Sequence, residues 1–218
     1  MDYAEIMRIY EAHPNPAEAE RMSAYMRNQF QYLGIKTPLR RELSKEFLRA
    51  AKKAEGVDWA FVNDCWANQY RELQYLAVTY LDCVKDRLTP NDIPRLKKLV
   101  VTKSWWDTID GLDRIVGHVA LGYAEVNTVL LEWSVDDNIW LRRIAIDHQL
   151  LRKERTDTAL LAEIIGNNLG QTEFFINKAI GWSLREYSKT NPDWVRDFIA
   201  SHRDGLAPLS VREASKYI

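Results

Sequence analysis

Glycine and proline are scarce in this chain, with 9 and 7 copies respectively among 218 residues. A β-rich protein needs both residues at its many tight turns, so their scarcity argues against that class of fold. No linker rich in serine and glycine, no low-complexity tract and no block of like charge interrupts the sequence. Residues 1–218 are therefore expected to form a single domain.

Long apolar runs and cysteines are also lacking. No run approaches the roughly 20 apolar residues of a membrane-spanning helix, and the first twenty residues contain neither the basic nor the apolar segment of a secretory signal. Cys65 and Cys83 cannot form a disulfide framework or a metal site by themselves, and they suit a reducing cytoplasm. The 4 histidines have no ligand spacing, so no metal site is predicted.

Charge of either sign is not in excess, because 30 Lys and Arg face 31 Asp and Glu for a formal net charge of −1. Such a protein still binds nucleic acid if its basic residues gather on one surface. The absence of a glycine-rich phosphate loop and of a nucleophile elbow argues against P-loop ATPases and serine hydrolases. Tryptophan is unusually frequent, with 8 copies, and the positions of these residues along the helices bear on function.

A repeat is present in the sequence. Six similar helical segments can be aligned on one residue each, at intervals of 34, 34, 34, 35 and 35 residues: Arg40, Gln74, Thr108, Arg142, Asn177 and Arg212. Relative to that residue, positions −1, +3 and +7 are mostly apolar or small, and residues four apart share one stripe of a helix. In the fifth repeat this stripe comprises Ile176, Ile180 and Leu184.

Further helical segments lie between these six, for example at 58–69, 91–101 and 156–170, and each starts near Asp, Asn or Thr, which cap helix N-termini. Each repeat is thus a helical hairpin that buries its apolar stripe only by stacking on its neighbours. The period also fits tetratricopeptide arrays, but their signature residues are missing. The sequence therefore predicts an all-α, right-handed solenoid of about six HEAT-like two-helix repeats.

A second face of these helices is not explained by the core. On a helical wheel, conspicuous side chains fall on an arc nearly opposite the apolar stripe: Trp106, Trp140, Trp182, Asp110, Arg41, Arg143, Lys178 and Arg185. Because the second helices of successive repeats line one wall of a solenoid, a shared face becomes a continuous concave surface. Basic side chains there suit phosphate contacts, and indole rings suit stacking on bases or contact with a cation.

Asp110 is the exception on this face, because a carboxylate weakens affinity for a polyanion. The equivalent position in the other repeats is Glu or apolar, so the repeat itself does not require an acid there. Stabilisation of positive charge during catalysis is one explanation. The alternative explanations are structural: tryptophans at helical spacing commonly pack in cores, and Asp and Arg commonly form salt bridges.

Four segments carry a family resemblance: TKSWWDTID (102–110), DNIWLRR (137–143), FFINKAIGWSLREYSKTNP (174–192) and LAPLSVREA (206–214). Together with YMRNQFQYLGIKTPLRR (25–41), they closely resemble AlkD-type DNA glycosylases, the HEAT-like-repeat family for DNA alkylation repair. The similarity covers nearly the whole chain, in order. It implies a cytoplasmic, cofactor-free enzyme that excises positively charged N3- or N7-alkylated purines from duplex DNA.

The resemblance also assigns site residues. The family's catalytic carboxylate falls on Asp110, its two sugar-contacting tryptophans on Trp106 and Trp182, and its catalytic-site arginine on Arg143. Arg143 is further expected to anchor phosphates together with other basic residues, which are Arg142, Lys178 and Arg185, and then Lys103, Arg40 and Arg41. Trp140 is either a third groove contact or a wedge between repeats.

Two alternatives keep the architecture and remove the catalysis. One is a HEAT-like protein that binds unusual DNA structures, and the other is a protein–protein scaffold, a common use of α-solenoids. The protein is expected to be a monomer whose partner is duplex DNA containing alkylated purines, and to be associated with the nucleoid when bound.

Overall fold

The computed structural model describes residues 2–218, and this part of the chain contains fourteen α-helices, four short 3₁₀ helices and no β-strand. The predicted all-α class is therefore confirmed. None of the helices in residues 2–218 is long and apolar enough to cross a membrane. The chain divides into two compact units, of which the first ends at Leu88 and the second comprises Thr89–Ile218.

The described part of the first unit contains six α-helices: α1 (Tyr3–Glu11), α2 (Pro16–Tyr25), α3 (Thr37–Leu43), α4 (Lys45–Ala51), α5 (Trp59–Ala67) and α6 (Arg71–Val84). A buried carboxylate fixes the segment before α3. Glu72 on α6 accepts hydrogen bonds from the backbone N–H groups of Leu33, Gly34 and Ile35 at 2.8 to 3.2 Å. Gly34 has a φ of +89° and lies against the Asn15 carbonyl, so a side chain does not fit there.

The second unit contains eight α-helices: α7 (Ile93–Val100), α8 (Trp106–Gly122), α9 (Val126–Ser134), α10 (Ile139–Asp147), α11 (Thr158–Gly166), α12 (Phe174–Ser188), α13 (Pro192–Ser201) and α14 (Pro208–Ala214). Within this unit α8 packs on α10, α10 on α12, and α12 on α14, as stacked hairpins do. A close approach brings α8 and α10 together, because a Cβ added to Gly117 would lie 2.0 Å from the carbonyl oxygen of His148.

The predicted repeat register is confirmed by the helix boundaries. Each of the six alignment residues lies on a helix that begins two to four residues earlier: α3, α6, α8, α10, α12 and α14. Two of the three predicted caps of the intervening helices are confirmed, since Asp58 accepts from the N–H of Phe61 and Asp157 from that of Leu160. The segment at 91–101 differs, because α7 begins at Ile93 without a side-chain cap.

The apolar stripe is buried in the central repeats and less so at the ends. In α12 the side chains of Ile176, Ile180 and Leu184 are essentially inaccessible. Leu39, the equivalent of Ile176 on the short helix α3, is 36% exposed. A seven-residue helix presents only two turns to its neighbours, so α3 buries less of its predicted stripe.

We expect Glu72→Ala to lower the free energy of unfolding by about 3 kcal/mol, because three buried backbone donors lose a charged acceptor. Urea unfolding followed by circular dichroism measures the change. Glu42→Ala, on the exposed surface of α3, is the control and should alter stability by less than about 0.5 kcal/mol. Equal effects of the two substitutions would show that the Glu72 contacts contribute little.

Candidate active site

The start of α8 places two of the predicted site residues. Trp106 is the first residue of the helix and Asp110 lies one turn later, so their side chains share one side of the helix. Both are partly exposed. The N-terminal end of a helix carries partial positive charge, which favours acidic residues in these first turns.

Asp110 forms an ion pair with Arg143 on α10. The Asp110 Oδ1 atom accepts from Arg143 Nε at 2.9 Å and lies 2.8 Å from Nη2. The Asp110 side chain remains 22% exposed, whereas that of Arg143 is 4% exposed. Burial raises the pKa of the Asp110 carboxyl, and the nearby Arg143 guanidinium opposes that rise. The carboxylate therefore has one oxygen held from inside the protein.

The Arg143 guanidinium also contacts α12 and the end of its own helix, α10. Nη1 donates to the backbone oxygen of Phe175 at 2.8 Å, and Nη2 lies 3.7 Å from Asp147 Oδ2. The guanidinium carbon is 5.9 Å from the centre of the Trp182 ring, within reach of a cation–π interaction. Arg143 thus brings together three of the four residues assigned as catalytic, and Trp106 lies one turn from Asp110.

Two buried acids join this group, and sequence reasoning missed both. Asp113 on α8 and Asp147 on α10 are each about 1% exposed, and carboxylate oxygens of Asp110, Asp113 and Asp147 lie within 4.8 Å of one another. A sequence signal existed, because Asp113, Asp147 and Trp182 occupy the same position, +5, in three successive repeats. Of these three residues, the predicted off-core face included only Trp182.

Burial governs the proton affinity of these two acids. It raises the pKa of Asp147 to about 7, against the attraction of Arg143. Burial, followed by repulsion from Asp147 and Asp110, raises the pKa of Asp113 well above its usual range. Three carboxylates suit a hard divalent cation by ligand type, but the Arg143 guanidinium already provides positive charge between Asp110 and Asp147.

The structure corrects one expectation about the off-core face and favours one of two alternatives at another position. Arg143 was expected to anchor phosphates as well as to lie in the site, but it is 3% exposed and its guanidinium is directed at Asp110 and Phe175. Trp140 was expected either as a groove contact or as a wedge, and its 9% exposure fits the wedge. Its ring centre lies 5.7 Å from that of Trp105 and 4.9 Å from that of Phe175.

Arg143 and Trp140 are buried for the same geometric reason. A helical wheel gives the direction of a side chain relative to its own helix, whereas stacked helices also cover the flanks of each neighbour. Trp140 and Arg143 lie on the flanks of α10, where residues of α12 pack against them. The solvent-facing arc is therefore narrower than the wheel indicates.

The predicted basic residues of α12 form a cluster around one acid on α14. The carboxylate oxygens of Glu213 form ion pairs with the side-chain nitrogens of Lys178 at 2.9 Å, Arg185 at 2.6 Å and Lys216 at 2.8 Å. We call these four residues the Glu213 cluster. The three cations remain 37%, 22% and 46% exposed in that order. Lys216 and Lys178 lower the pKa of Glu213 to about 2.

The other predicted DNA contacts have different surroundings. Arg142 is partly buried, and its Nε donates to Asn168 Oδ1 at 2.9 Å, so its guanidinium supports the repeat. Lys103 is exposed in the loop before α8. Arg40 and Arg41 belong to the first unit, where the Arg40 guanidinium lies 4.7 Å from the centre of the Tyr75 ring and Arg41 is exposed.

Comparison with known proteins now decides the family. A family model described as DNA alkylation repair enzyme matches residues 6–218. The chain belongs to the DNA alkylation repair enzyme family. No curated protein matches it. Among solved structures, it is similar to a predicted DNA alkylation repair enzyme from Enterococcus faecalis, with 35% identity, a TM-score of 0.87, and coverage of 94% of this chain and 97% of that one.

Two solved structures from Streptococcus mutans share the fold of this DNA alkylation repair family member. For smu.31 the identity is 18% and the TM-score 0.61, over 83% of this chain and 96% of the other. For AlkD2 the values are 17% and 0.62, over 80% and 89%. The resemblance to the alkylation repair family inferred from the sequence motifs is confirmed.

We expect Asp147→Asn to flatten the pH dependence of stability in this protein. A carboxyl with a raised pKa binds a proton more tightly in the folded state, so its contribution is fully present below about pH 4 and is lost as the pH rises through about 7. Between pH 5 and pH 8 the wild type should therefore lose about 2 kcal/mol more of its unfolding free energy than the variant.

Urea unfolding at pH 5, 6.5 and 8 measures this difference. The control is Asp204→Asn in an exposed turn, which should follow the wild type at each pH. The expectation fails if Asp147→Asn and the wild type lose the same stability over this interval.

Proposed function

We propose that this member of the DNA alkylation repair enzyme family is a monofunctional DNA glycosylase. Its substrates would be N3- and N7-alkylated purines in duplex DNA. Alkylation places positive charge on the purine, so that the bond to the sugar breaks with its electron pair leaving on a base that departs neutral. The positive charge moves to the deoxyribose, which resembles the oxocarbenium state of glycoside hydrolysis, and water then adds to that carbon.

The partly exposed Asp110 carboxylate carries this proposal. Arg143 binds one of its oxygens from inside the protein, which fixes the carboxylate before a substrate arrives. The surrounding low dielectric strengthens the attraction between this fixed negative charge and a positive sugar. Asp110 would stabilise the oxocarbenium-like sugar, position the attacking water and accept its proton.

The two tryptophans assigned to the site suit the same transition state. Trp182 lies near Arg143 on the partly exposed side of α12, and Trp106 is one turn from Asp110. Indole rings present electron-rich faces that attract cations and that pack against sugars. Trp106 and Trp182 would hold the lesion's deoxyribose against the carboxylate.

The Glu213 cluster suits the DNA backbone beside this site. Its three cations and one carboxylate leave an excess of positive charge, and each cation is partly exposed. Glu213 holds Lys178 and Arg185 in place, which reduces the side-chain entropy lost when they contact a phosphate. Contacts of this kind fix the position of DNA without reading its sequence.

We expect Asp110→Asn to slow release of N7-methylguanine from methylated duplex by about 100- to 1,000-fold, because one preorganised charge is lost. Single-turnover kinetics with excess protein measure the rate, and fluorescence anisotropy measures duplex affinity, which should persist. Asp137→Asn, an exposed carboxylate before α10, is the matched control and should release base at the wild-type rate.

Two results would count against this function. Equal single-turnover rates for wild type and Asp110→Asn would remove Asp110 from the reaction. Tight duplex binding without base release by the wild type would favour the non-catalytic DNA-binding alternative. A protein–protein scaffold predicts neither activity nor salt-dependent DNA binding.

We expect Lys178→Ala and Lys216→Ala each to weaken binding to duplexes of any sequence and to reduce the slope of log K against log[salt] by about one. The physical reason is that binding releases about one counterion fewer for each phosphate contact that is lost. Anisotropy titrations at several KCl concentrations measure the slope. Lys98→Ala, exposed on α7 and outside the Glu213 cluster, should leave it unchanged.

A further inference from the structure

The ionic group beneath Asp110 is unbalanced in charge. Asp110, Asp113 and Asp147 place carboxylate oxygens within 4.8 Å of one another, and Arg143 is the cation that bonds to this group. If all four side chains were ionised, the group would carry two net negative charges. Two of the acids are essentially inaccessible to water, which cannot offset that excess.

The neighbouring charged residues do not remove the imbalance. The Arg114 side chain next to Asp113 is exposed, and only its backbone N–H donates to Asp113 Oδ1. On α12, Lys178 and Arg185 pair with Glu213. Glu132 on α9 and Glu163 on α11 are exposed. His148, adjacent to Asp147, is uncharged because burial lowers its pKa to about 3, and Arg152 donates to the backbone oxygen of Gly117.

The hydrogen bonds distinguish the two buried acids from Asp110. Both oxygens of Asp147 and Oδ2 of Asp113 are buried and have no hydrogen-bond partner among the described residues. A buried carboxylate without donors strongly favours its protonated form. Repulsion between ionised carboxylates at this separation changes proton affinity by roughly tenfold or more. The group therefore retains protons on its buried members.

Asp147 differs from Asp113 in one contact. It lies one turn after Arg143 on α10, with its Oδ2 atom 3.7 Å from Arg143 Nη2. An arginine and an acid four residues apart on a helix are neighbours by local geometry alone. Asp147 therefore has a cationic partner for its ionised form, whereas Asp113 has only the backbone N–H of Arg114. Of the two, Asp147 is the one that ionises near neutral pH, as its pKa of about 7 also indicates.

We propose that Asp147 is a positioning residue for the Arg143–Asp110 pair and acts as an ionisable second partner of the guanidinium, whereas Asp113 stays neutral while Asp147 ionises. When Asp147 is protonated, the charge of Arg143 is balanced by Asp110 alone. When Asp147 ionises, it shares Arg143 and leaves the Asp110 carboxylate less neutralised. On the proposed glycosylase function, a less neutralised carboxylate attracts the cationic sugar more strongly.

The direct test is a carboxyl titration by NMR, which needs no activity. In the free protein labelled with ¹³C at aspartate carboxyls, we expect one buried carboxyl to titrate near pH 7 and its signal to be absent from Asp147→Asn. A second should remain protonated while the first ionises and be absent from Asp113→Asn. The Arg143 ¹⁵Nε signal should shift with the first titration in the wild type and in Asp113→Asn, and not in Asp147→Asn.

The second test is the pH profile of single-turnover base release. We expect the wild-type rate to rise roughly three- to tenfold through an inflection near pH 7. Asp147→Asn should show no inflection, and at every pH its rate should equal the rate that the wild type has at pH 5.5. Asp113→Asn is the matched control: it removes an acid that is already neutral, so it should retain the inflection.

The outcomes separate this inference from the proposed function. An Asp147 carboxyl that titrates below pH 5, an Asp113 carboxyl that is ionised at pH 6, or an Arg143 signal that ignores Asp147 would overturn the inference. If the NMR titrations behave as expected and no base is released at any pH, the positioning of Arg143 stands and the glycosylase function is wrong. A pH inflection of the base-release rate that survives Asp147→Asn would also overturn the inference.

Discussion

The buried guanidinium of Arg143 is the constraint on which the second unit depends. A charge that cannot reach water must be paired and hydrogen-bonded where it lies. Arg143 satisfies this condition by binding Asp110 on α8, Asp147 on its own helix and a backbone oxygen of α12. Three helices are thereby tied at one point, and the same contacts fix the carboxylate that we propose to be catalytic. Structural support and chemistry share one side chain.

A second ionic group mirrors the first with the signs reversed. Around Arg143, one cation is shared among acids in a buried position; in the Glu213 cluster, one acid is shared among three partly exposed cations. On the proposed function, the buried group would present a carboxylate to a positive sugar, and the exposed group would present positive charge to phosphates. Both groups involve α12 and helices packed on it, so a single stack of helices carries clusters of opposite sign.

The repeat register was predictable because it depends on periodicity, which is local and recurs six times. The motifs around Trp106, Asp110 and Trp182 were also visible in the sequence. Burial of Trp140 and Arg143 was not, because it depends on how closely α12 packs against the flank of α10. Asp113 and Asp147 were overlooked although they share a repeat position with Trp182, since an acid on a helix is usually read as solvated. Comparing each repeat position across all repeats would have found them.

The close approach at Gly117 has a mechanical consequence. The absence of a side chain there lets the carbonyl of His148 touch α8, one turn beyond Asp113. In a stack where each hairpin contacts only the next, nothing downstream compensates for a change in this spacing. A methyl group at residue 117 would push α10 away from α8 and tilt it, and α11 to α14 would move with it. A displacement of a few tenths of an ångström at this glycine would therefore change the alignment of tryptophans and basic residues contributed by later helices.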